Sequence, residues 1–152
     1  MRGISALVTA TVGLFGILTA GGSARAGDDR ELVKMPAMMQ EHLLASMRDH
    51  LLVIGGILDD LKAEKFDAAA KAAEARLGLS SFGLHDSAHM AAFMPKPMQD
   101  AGTELHKAAS RFALVAQEAD VERSYESMTK LSGALAEMVS SCNACHVGYR
   151  IR

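Results

Sequence analysis

Two cysteines and a histidine lie close together near the C-terminus, in the segment Cys142-Asn143-Ala144-Cys145-His146. A C-x-x-C-H segment is the attachment pattern of c-type haem. Residues three and four apart on a helix share one face, so Cys142, Cys145 and His146 can all address one planar ligand. In this chemistry the thiols form thioethers with the porphyrin vinyl groups, and the imidazole is the proximal iron ligand. The segment therefore predicts one covalently attached haem c, held by a helix.

The residues before this segment predict that the helix is amphipathic. Apolar side chains recur at spacings of three and four, which is typical of the inner face of a packed helix. Cys142 and Cys145 continue this spacing, so we expect both thiols, and a haem attached to them, to face the interior. The apolar positions are Val121, Tyr125, Met128, Leu131, Leu135 and Met138.

Three other interpretations of the cysteine pair remain at this point. It could form an exposed disulfide, a thioredoxin-like redox pair, or half of a zinc site. A redox pair is typically found beside a βαβ pattern, and a zinc site usually draws on a second pair of ligands. Neither is clear in this sequence, and His146 directly after the second cysteine favours haem.

The segment from Cys142 to Arg150 resembles the C-terminal C-x-x-C-H-x-x-Y-R of the cytochrome c′ family. The resemblance implies an all-α fold over residues 27–152, with an antiparallel four-helix bundle and the haem near the C-terminal helix. It also implies a bacterial periplasmic location. The chain end offers a further contact, because Arg150 lies four residues after His146 and can reach a haem propionate. A solvated terminal arginine is the simpler interpretation.

The N-terminus has the features of a secretory signal peptide. Met1 and Arg2 precede an apolar run from Ile4 to Ala20, and an A-x-A signature ends at Ala26. We therefore expect residues 1–26 to be removed, which agrees with export to the periplasm. No later stretch is apolar for long enough to cross a membrane, so we expect no transmembrane segment after cleavage.

The mature chain is mildly acidic. Removal of Arg2 and Arg25 with the leader takes the formal charge from −2 to −4. No basic block interleaved with aromatic residues is present, which argues against nucleic-acid binding.

Helix-forming residues dominate after the leader, and prolines occur only at positions 36, 95 and 97. The spacing of apolar residues predicts helices over residues 36–61, 66–77 and 98–118, and a fourth helix capped by Asp120. Residues 79–97 predict a longer connection with one short helical turn. The predicted inner faces are Leu43, Met47, Leu51, Ile54, Leu58 and Leu61 in the first helix; Phe66, Ala69, Ala70, Ala73 and Leu77 in the second; and Met98, Ala101, Leu105, Ala109, Phe112 and Ala116 in the third.

The distal side of the haem is assigned to the first helix by the resemblance. Counting back from Phe66-Asp67, which resembles the start of the family's second helix, places the distal residue at Met47. A thioether is a known haem ligand and raises the reduction potential, whereas many helix methionines are only core filler. His50, one turn further on, is the alternative ligand. Many family members have arginine four residues before the distal position, where this chain has Leu43.

The connection from His85 to Met98 is rich in histidine and methionine. His85 and His89 are followed by Met90, Met94 and Met98, a set that could bind copper through imidazole and thioether groups. The simpler expectation is that these methionines and Phe93 pack over the haem edge.

The sequence predicts an electron carrier and not an enzyme. It contains no carboxylate pair, activated serine or phosphate-binding glycine loop. We expect a periplasmic monohaem cytochrome that passes single electrons between periplasmic or membrane-bound redox proteins. The alternatives are a protein that binds nitric oxide or carbon monoxide at an open distal site, and a copper-handling module. Whether the chain forms a homodimer is left open.

Overall fold

The computed structural model describes residues 27–85 and 87–152, with the side chains of residues 84–88 outside the description. The predicted signal peptide, residues 1–26, lies outside the described residues. In the described part the fold is all-α, as the sequence predicted. The helices are α1 (Ala37–Lys62), α2 (Phe66–Arg76), α3 (Ser87–Ala91), α4 (Lys96–Glu122) and α5 (Tyr125–Gly148), with a 3-10 helix over Leu79–His85.

The buried face of α1 differs from the prediction. Leu51 and Leu58, predicted to face inward, are 69% and 48% exposed, whereas His50 and Ile57 are buried. The run from Leu51 to Ile54 is apolar on every side, so spacing alone fits two faces of the helix equally well. Packing against α2 selects the face that includes His50 and Ile57.

Helices α2 and α4 form the main core, and their predicted inner faces are confirmed apart from half-buried Ala101. Small alanine side chains allow the two helices to approach closely, and Phe112 fills the space between them with no exposed surface. The buried residues of the main core are Ile57, Phe66, Ala69, Ala70, Ala73, Leu77, Leu105, Ala108, Ala109, Phe112, Ala113, Ala116, Ala119, Leu131 and Met138.

The turn between α4 and α5 lies later than the sequence predicted. Asp120 was expected to cap the last helix, but α4 continues to Glu122 and Arg123 ends it in a left-handed conformation with φ 44°. Ser124 is the N-cap of α5, and its side chain and that of Ser127 each accept from the other's backbone N–H. This reciprocal capping box satisfies two N–H groups, which a single carboxylate at Asp120 would not.

Two residues of the predicted inner face of α5 are solvent-exposed because of this later start. Val121 belongs to α4 and is 86% exposed, and Tyr125 at the first position of α5 is 91% exposed. Leu131 and Met138 are buried as predicted, with Met128 and Leu135 packing partly against the same core.

The connection between α2 and α4 contains two short helices where one turn was expected. Gly78 ends α2, and a Cβ at this position would lie 2.8 Å from the Cα of Glu74. Only glycine therefore allows the chain to pass this close to the preceding turn. The 3-10 helix and α3 then lead to Pro95, the N-cap of α4.

A two-residue parallel strand pair, which the sequence did not predict, joins the two ends of the described chain. Strand β1 (Glu31–Leu32) pairs with β2 (Tyr149–Arg150), and the Val33 N–H donates to the Arg150 carbonyl over 2.8 Å. This pairing brings the residues before α1 against the residues that follow the cysteine motif.

A second, smaller cluster lies beneath this strand pair, and we call it the methionine cluster. Its buried residues come from the segment before α1, from α3 and from the start of α4, and it packs against the end of α5. The cluster consists of Val33, Met35, Met90 and Met98, with Met39, Leu43, Met94, Cys145, Tyr149 and Ile151 partly buried against it.

Helix α4 lies at the centre of the packing, against α2 on one side and α5 on the other, while α1 packs chiefly on α2. Within the described residues, no helix is both long enough and apolar enough to cross a membrane.

Candidate functional site

Cys142, Cys145 and His146 lie in the last two turns of α5. The helix reaches past them because the Tyr149 N–H donates to the Cys145 carbonyl and closes the final turn. Tyr149 is itself extended, with φ −130° and ψ 149°, and starts β2. The predicted attachment helix and the strand that follows it are therefore held as one unit.

The two thiols lie in different surroundings. Cys142 is half-buried against the main core, with its Sγ 3.5 Å from the Met138 carbonyl oxygen. Cys145 is half-buried against the methionine cluster, with its Sγ 3.8 Å from the Met98 carbonyl oxygen. The motif therefore lies where the two clusters meet, with one sulfur on each.

Burial raises the pKa of both thiols above the ordinary value of 9.0, because a thiolate would lose its hydration. A reactive redox pair has the opposite property, a thiol with a lowered pKa next to a helix N-terminus or a cation. These cysteines lie at a helix C-terminus and are not joined as a disulfide. The surroundings therefore weigh against a thioredoxin-like redox pair.

His146 has an exposed side chain, and its backbone is held by the segment before β1. The Arg30 guanidinium donates to the His146 carbonyl oxygen over 3.3 Å and also forms a bidentate pair with Asp28. Hydrogen bonding and charge from Arg30 lower the pKa of Asp28 from 3.8 to about 2. A cation at the last carbonyls of α5 is favourable because it opposes the negative end of the helix dipole.

Arg150 belongs to the same charged group. Its Nε is buried and has no hydrogen-bond partner, and the nearest carboxylate oxygen, on Asp28, is 3.8 Å away. A buried donor without an acceptor is costly, so this atom is suited to an anionic acceptor from outside the chain. Asp28 and Arg30 were not recognised in the sequence, because only the strand pairing brings them to the motif.

Met47, the predicted distal ligand, is partly exposed on α1. It shares a helix face with the exposed residues Leu51 and Leu58, one and three turns further on. Met47 is a member of neither core cluster among the described residues.

His50, the predicted alternative ligand, is buried instead on the inner side of the helices. Its ring lies edge-on to the ring of His106, with the centroids 6.5 Å apart. The Nδ1 of His106 lies 2.8 Å from the Leu77 carbonyl oxygen, so Nδ1 carries the proton and donates to it. His106 was missed in the sequence, although it lies one turn before Ala109 on the buried face of α4.

His89 and the methionines of the connection lie in different surroundings. Met90 and Met98 are buried in the methionine cluster and Met94 packs against it, whereas His89 is exposed. The side chain of His85 lies outside the described part. Within that part, no group of three or more His, Cys, Asp or Glu side chains could hold a metal ion.

A surface groove of about 490 Å³ lies at the other end of α5, away from the cysteine motif. It is lined by the end of α1 and the turn that follows it, the start of α2, the α4–α5 turn and the first half of α5, and its lining includes Phe66, Arg123 and Leu131.

Comparisons of the chain with protein-family models, with curated proteins and with solved structures gave no match.

Proposed function

We propose that this chain is a periplasmic monohaem c-type cytochrome that carries single electrons between redox proteins. The proposal depends on one observation, which is that Cys142, Cys145 and His146 share the last two turns of α5. The proposal includes the arrangement of α1, α2, α4 and α5 as an antiparallel four-helix bundle with the haem beside α5. The function is electron transfer and not catalysis.

The donor set fits a covalently attached haem. Cys142 and Cys145 would form the thioethers, and His146, exposed and next to the second cysteine, would be the proximal ligand. The unpartnered Nε of Arg150 would gain an acceptor from a propionate. Arg30 and Arg150 oppose a single carboxylate, Asp28, so this charged group would accept one more anion.

In the proposed holoprotein, the porphyrin would lie against the exposed face of α1. Leu51 and Leu58 expose 69% and 48% of their surface, and an apolar ring against this face would remove that surface from water. Met47 shares the face and would supply the distal thioether. When bound, the haem supplies an iron that alternates between ferric and ferrous states. The chain's own residues would hold the haem and exclude water from it.

A first experiment tests attachment. The full chain is produced in bacteria with an active periplasmic haem-ligation system, and the pigment that survives acid extraction is measured. We expect one covalent haem per chain in the wild type and none in Cys142→Ala/Cys145→Ala. The matched control Asn143→Ala, between the two cysteines, should keep its haem. A colourless wild-type protein with free thiols at both positions would refute the proposal.

A second experiment tests the distal ligand by absorption spectroscopy. In the oxidised protein we expect the weak far-red band of methionine-to-iron charge transfer, and we expect Met47→Ala to abolish it and give a high-spin spectrum. Leu51→Ala, on the same face, is the control and should keep the band. If His50→Ala changes the spin state and Met47→Ala does not, His50 is the ligand and the Met47 assignment is wrong.

The second candidate function is binding of nitric oxide or carbon monoxide. The exposed leucines beside Met47 favour it, because an apolar distal side leaves the sixth position of the iron open to small ligands. A wild-type protein that is high-spin, and whose spectrum shifts on addition of carbon monoxide, would support this candidate over electron transfer.

A further inference from the structure

Half of the methionines in the chain gather in one place. Five of the ten, at positions 35, 39, 90, 94 and 98, lie in the methionine cluster or pack against it. They come from the segment before α1, from α1, from α3 and its following turn, and from α4. The convergence is a property of the fold, because the first two are separated from the others by about 50 residues of sequence.

Packing alone does not require methionine at these positions. Leucine and isoleucine fill comparable volumes with better-defined rotamers, and this chain uses them at Ile57, Leu105 and Leu131 of the main core. Methionine is more flexible and can be oxidised to the sulfoxide. The property that methionine adds is the thioether sulfur, a soft donor that selects soft metal ions.

Hydrogen bonds to the backbone hold the methionine-bearing segments in place. The side-chain amide of Gln40 donates to the Met35 carbonyl over 3.1 Å. The side-chain amide of Gln99 donates to the carbonyls of Ala91 and Met94 over 3.0 and 2.9 Å. Both turns that carry these methionines are therefore fixed, and a metal ion would not have to order them.

The cluster contains no ionised group. Its members are aliphatic, methionine, tyrosine and cysteine side chains, with no carboxylate, ammonium, guanidinium or imidazole group among them. Met35, Met90 and Met98 are 9%, 3% and 9% exposed. A divalent ion in these surroundings would be costly without carboxylate or thiolate ligands, whereas a monovalent soft ion carries less charge and prefers thioethers.

We propose that Met35, Met90 and Met98 bind one copper(I) ion through their thioether sulfurs, with Met39 and Met94 at the rim. This ligand set differs from the one suggested by the sequence of the connection, because exposed His89 lies outside the cluster. The proposal does not rest on haem attachment. Cys145 packs against the cluster, so a haem on this sulfur would be a neighbour of the copper ion.

The test is a copper(I) competition titration of the full exported chain, without oxygen and with ascorbate, against the chelator bicinchoninate. We expect the wild type to retain one copper(I) per chain. Met90→Leu/Met98→Leu keeps the volume of the cluster and removes two ligands. Affinity should fall by more than about 100-fold, since loss of an outer-shell partner alone costs 10–100-fold. The matched control Met128→Leu/Met138→Leu changes two sulfurs of the main core and should bind as the wild type does.

X-ray absorption at the copper edge of the wild-type protein gives a second measurement that needs no variant. We expect sulfur neighbours only, and a titration with zinc(II) should show no competition for the site. The proposal is wrong if the wild type retains no copper(I), or if the double leucine variant binds as tightly as the wild type. It is equally wrong if nitrogen neighbours dominate the spectrum and His85→Ala/His89→Ala abolishes binding, which would place copper at the histidines.

Discussion

The main core and the methionine cluster share helices α4 and α5, but different side chains fill them. In the main core, alanines bring α2 against α4 and one large residue, Phe112, fills the remaining space. In the methionine cluster, flexible methionine side chains pack beneath the segment before α1 and the short β1–β2 strand pair. Close packing restricts the size of the residues in the main core, whereas the copper(I) proposal predicts that the donor atom restricts the residues of the methionine cluster.

The largest effect on stability should come from truncating a large side chain in the main core. Phe112 has no exposed surface, and Phe112→Ala should lower the free energy of unfolding by about 3–5 kcal/mol through lost burial and a residual cavity. Urea denaturation followed by far-UV circular dichroism measures this. Leu114→Ala, on the same helix but 62% exposed, should change stability by less than about 0.5 kcal/mol. Similar losses in both variants would contradict the assignment of the core.

Substitution by leucine should affect the stability of the main core and of the methionine cluster differently. Ala109→Leu places a larger side chain between closely packed helices and should destabilise the protein by about 1–3 kcal/mol. Met90→Leu conserves volume and should cost less than about 1.5 kcal/mol. The same urea titrations measure both. If Met90→Leu proves the more damaging change, the methionine cluster is as dependent on shape as the main core.

A smaller, local effect is expected in the segment before α1, which contributes Val33 to the methionine cluster. Val33 is 3% exposed, and Val33→Ala removes about two methylene equivalents, or about 1–2 kcal/mol of burial. Amide exchange at residue 33, whose N–H donates to the Arg150 carbonyl, should become about tenfold faster, while amides of α4 in the main core exchange as before. Val121→Ala, which is 86% exposed, is the control. Equal acceleration throughout α4 would show that the two regions open together.

The smallest effect concerns the pH dependence of stability and involves a carboxylate on α2, a helix of the main core. Hydrogen bonds from Ser110 and Ser80 lower the pKa of Glu74 below its ordinary 4.5. The carboxylate therefore adds stability above that value, and the contribution is lost as the pH falls through the folded-state pKa. In Glu74→Gln this contribution is absent, so the unfolding free energy should fall less steeply with pH in this acidic range. The difference from the wild type should be less than about 1 kcal/mol. A slope identical to that of the wild type would show that Glu74 does not contribute.

The sequence predicted the parts of the fold in which a single helix face is apolar. The inner faces of α2 and α4 could be assigned because their other faces are charged. In α1 the assignment of Leu51 and Leu58 to the inner face was wrong. That helix has apolar residues on every face, and only packing on α2 selects the face that is buried. The α4–α5 turn was misplaced because Asp120 and Ser124 are equally good caps by residue type, and the reciprocal partner Ser127 decides between them.

The candidate site was predictable only where its residues are neighbours in sequence. The cysteine motif and Arg150 lie within one short segment and were found together. Asp28 and Arg30 could not be found, because a two-residue strand pair leaves no local pattern and its partner lies at the other end of the chain. For the same reason, Met35 could not be linked with Met98 before the fold was known.

The pairing of β1 with β2 has a consequence for the order in which the molecule is completed. Residues 31 and 149 pair across about 120 residues of sequence, whereas α4 and α5 are joined by a tight turn. Closing such a long loop costs conformational entropy, and contacts between distant residues form slowly. We therefore expect the helices to assemble first and the segment before α1, which carries β1, to dock last. A ligand of the methionine cluster, such as the copper(I) ion proposed above, would therefore have its easiest access before this segment docks.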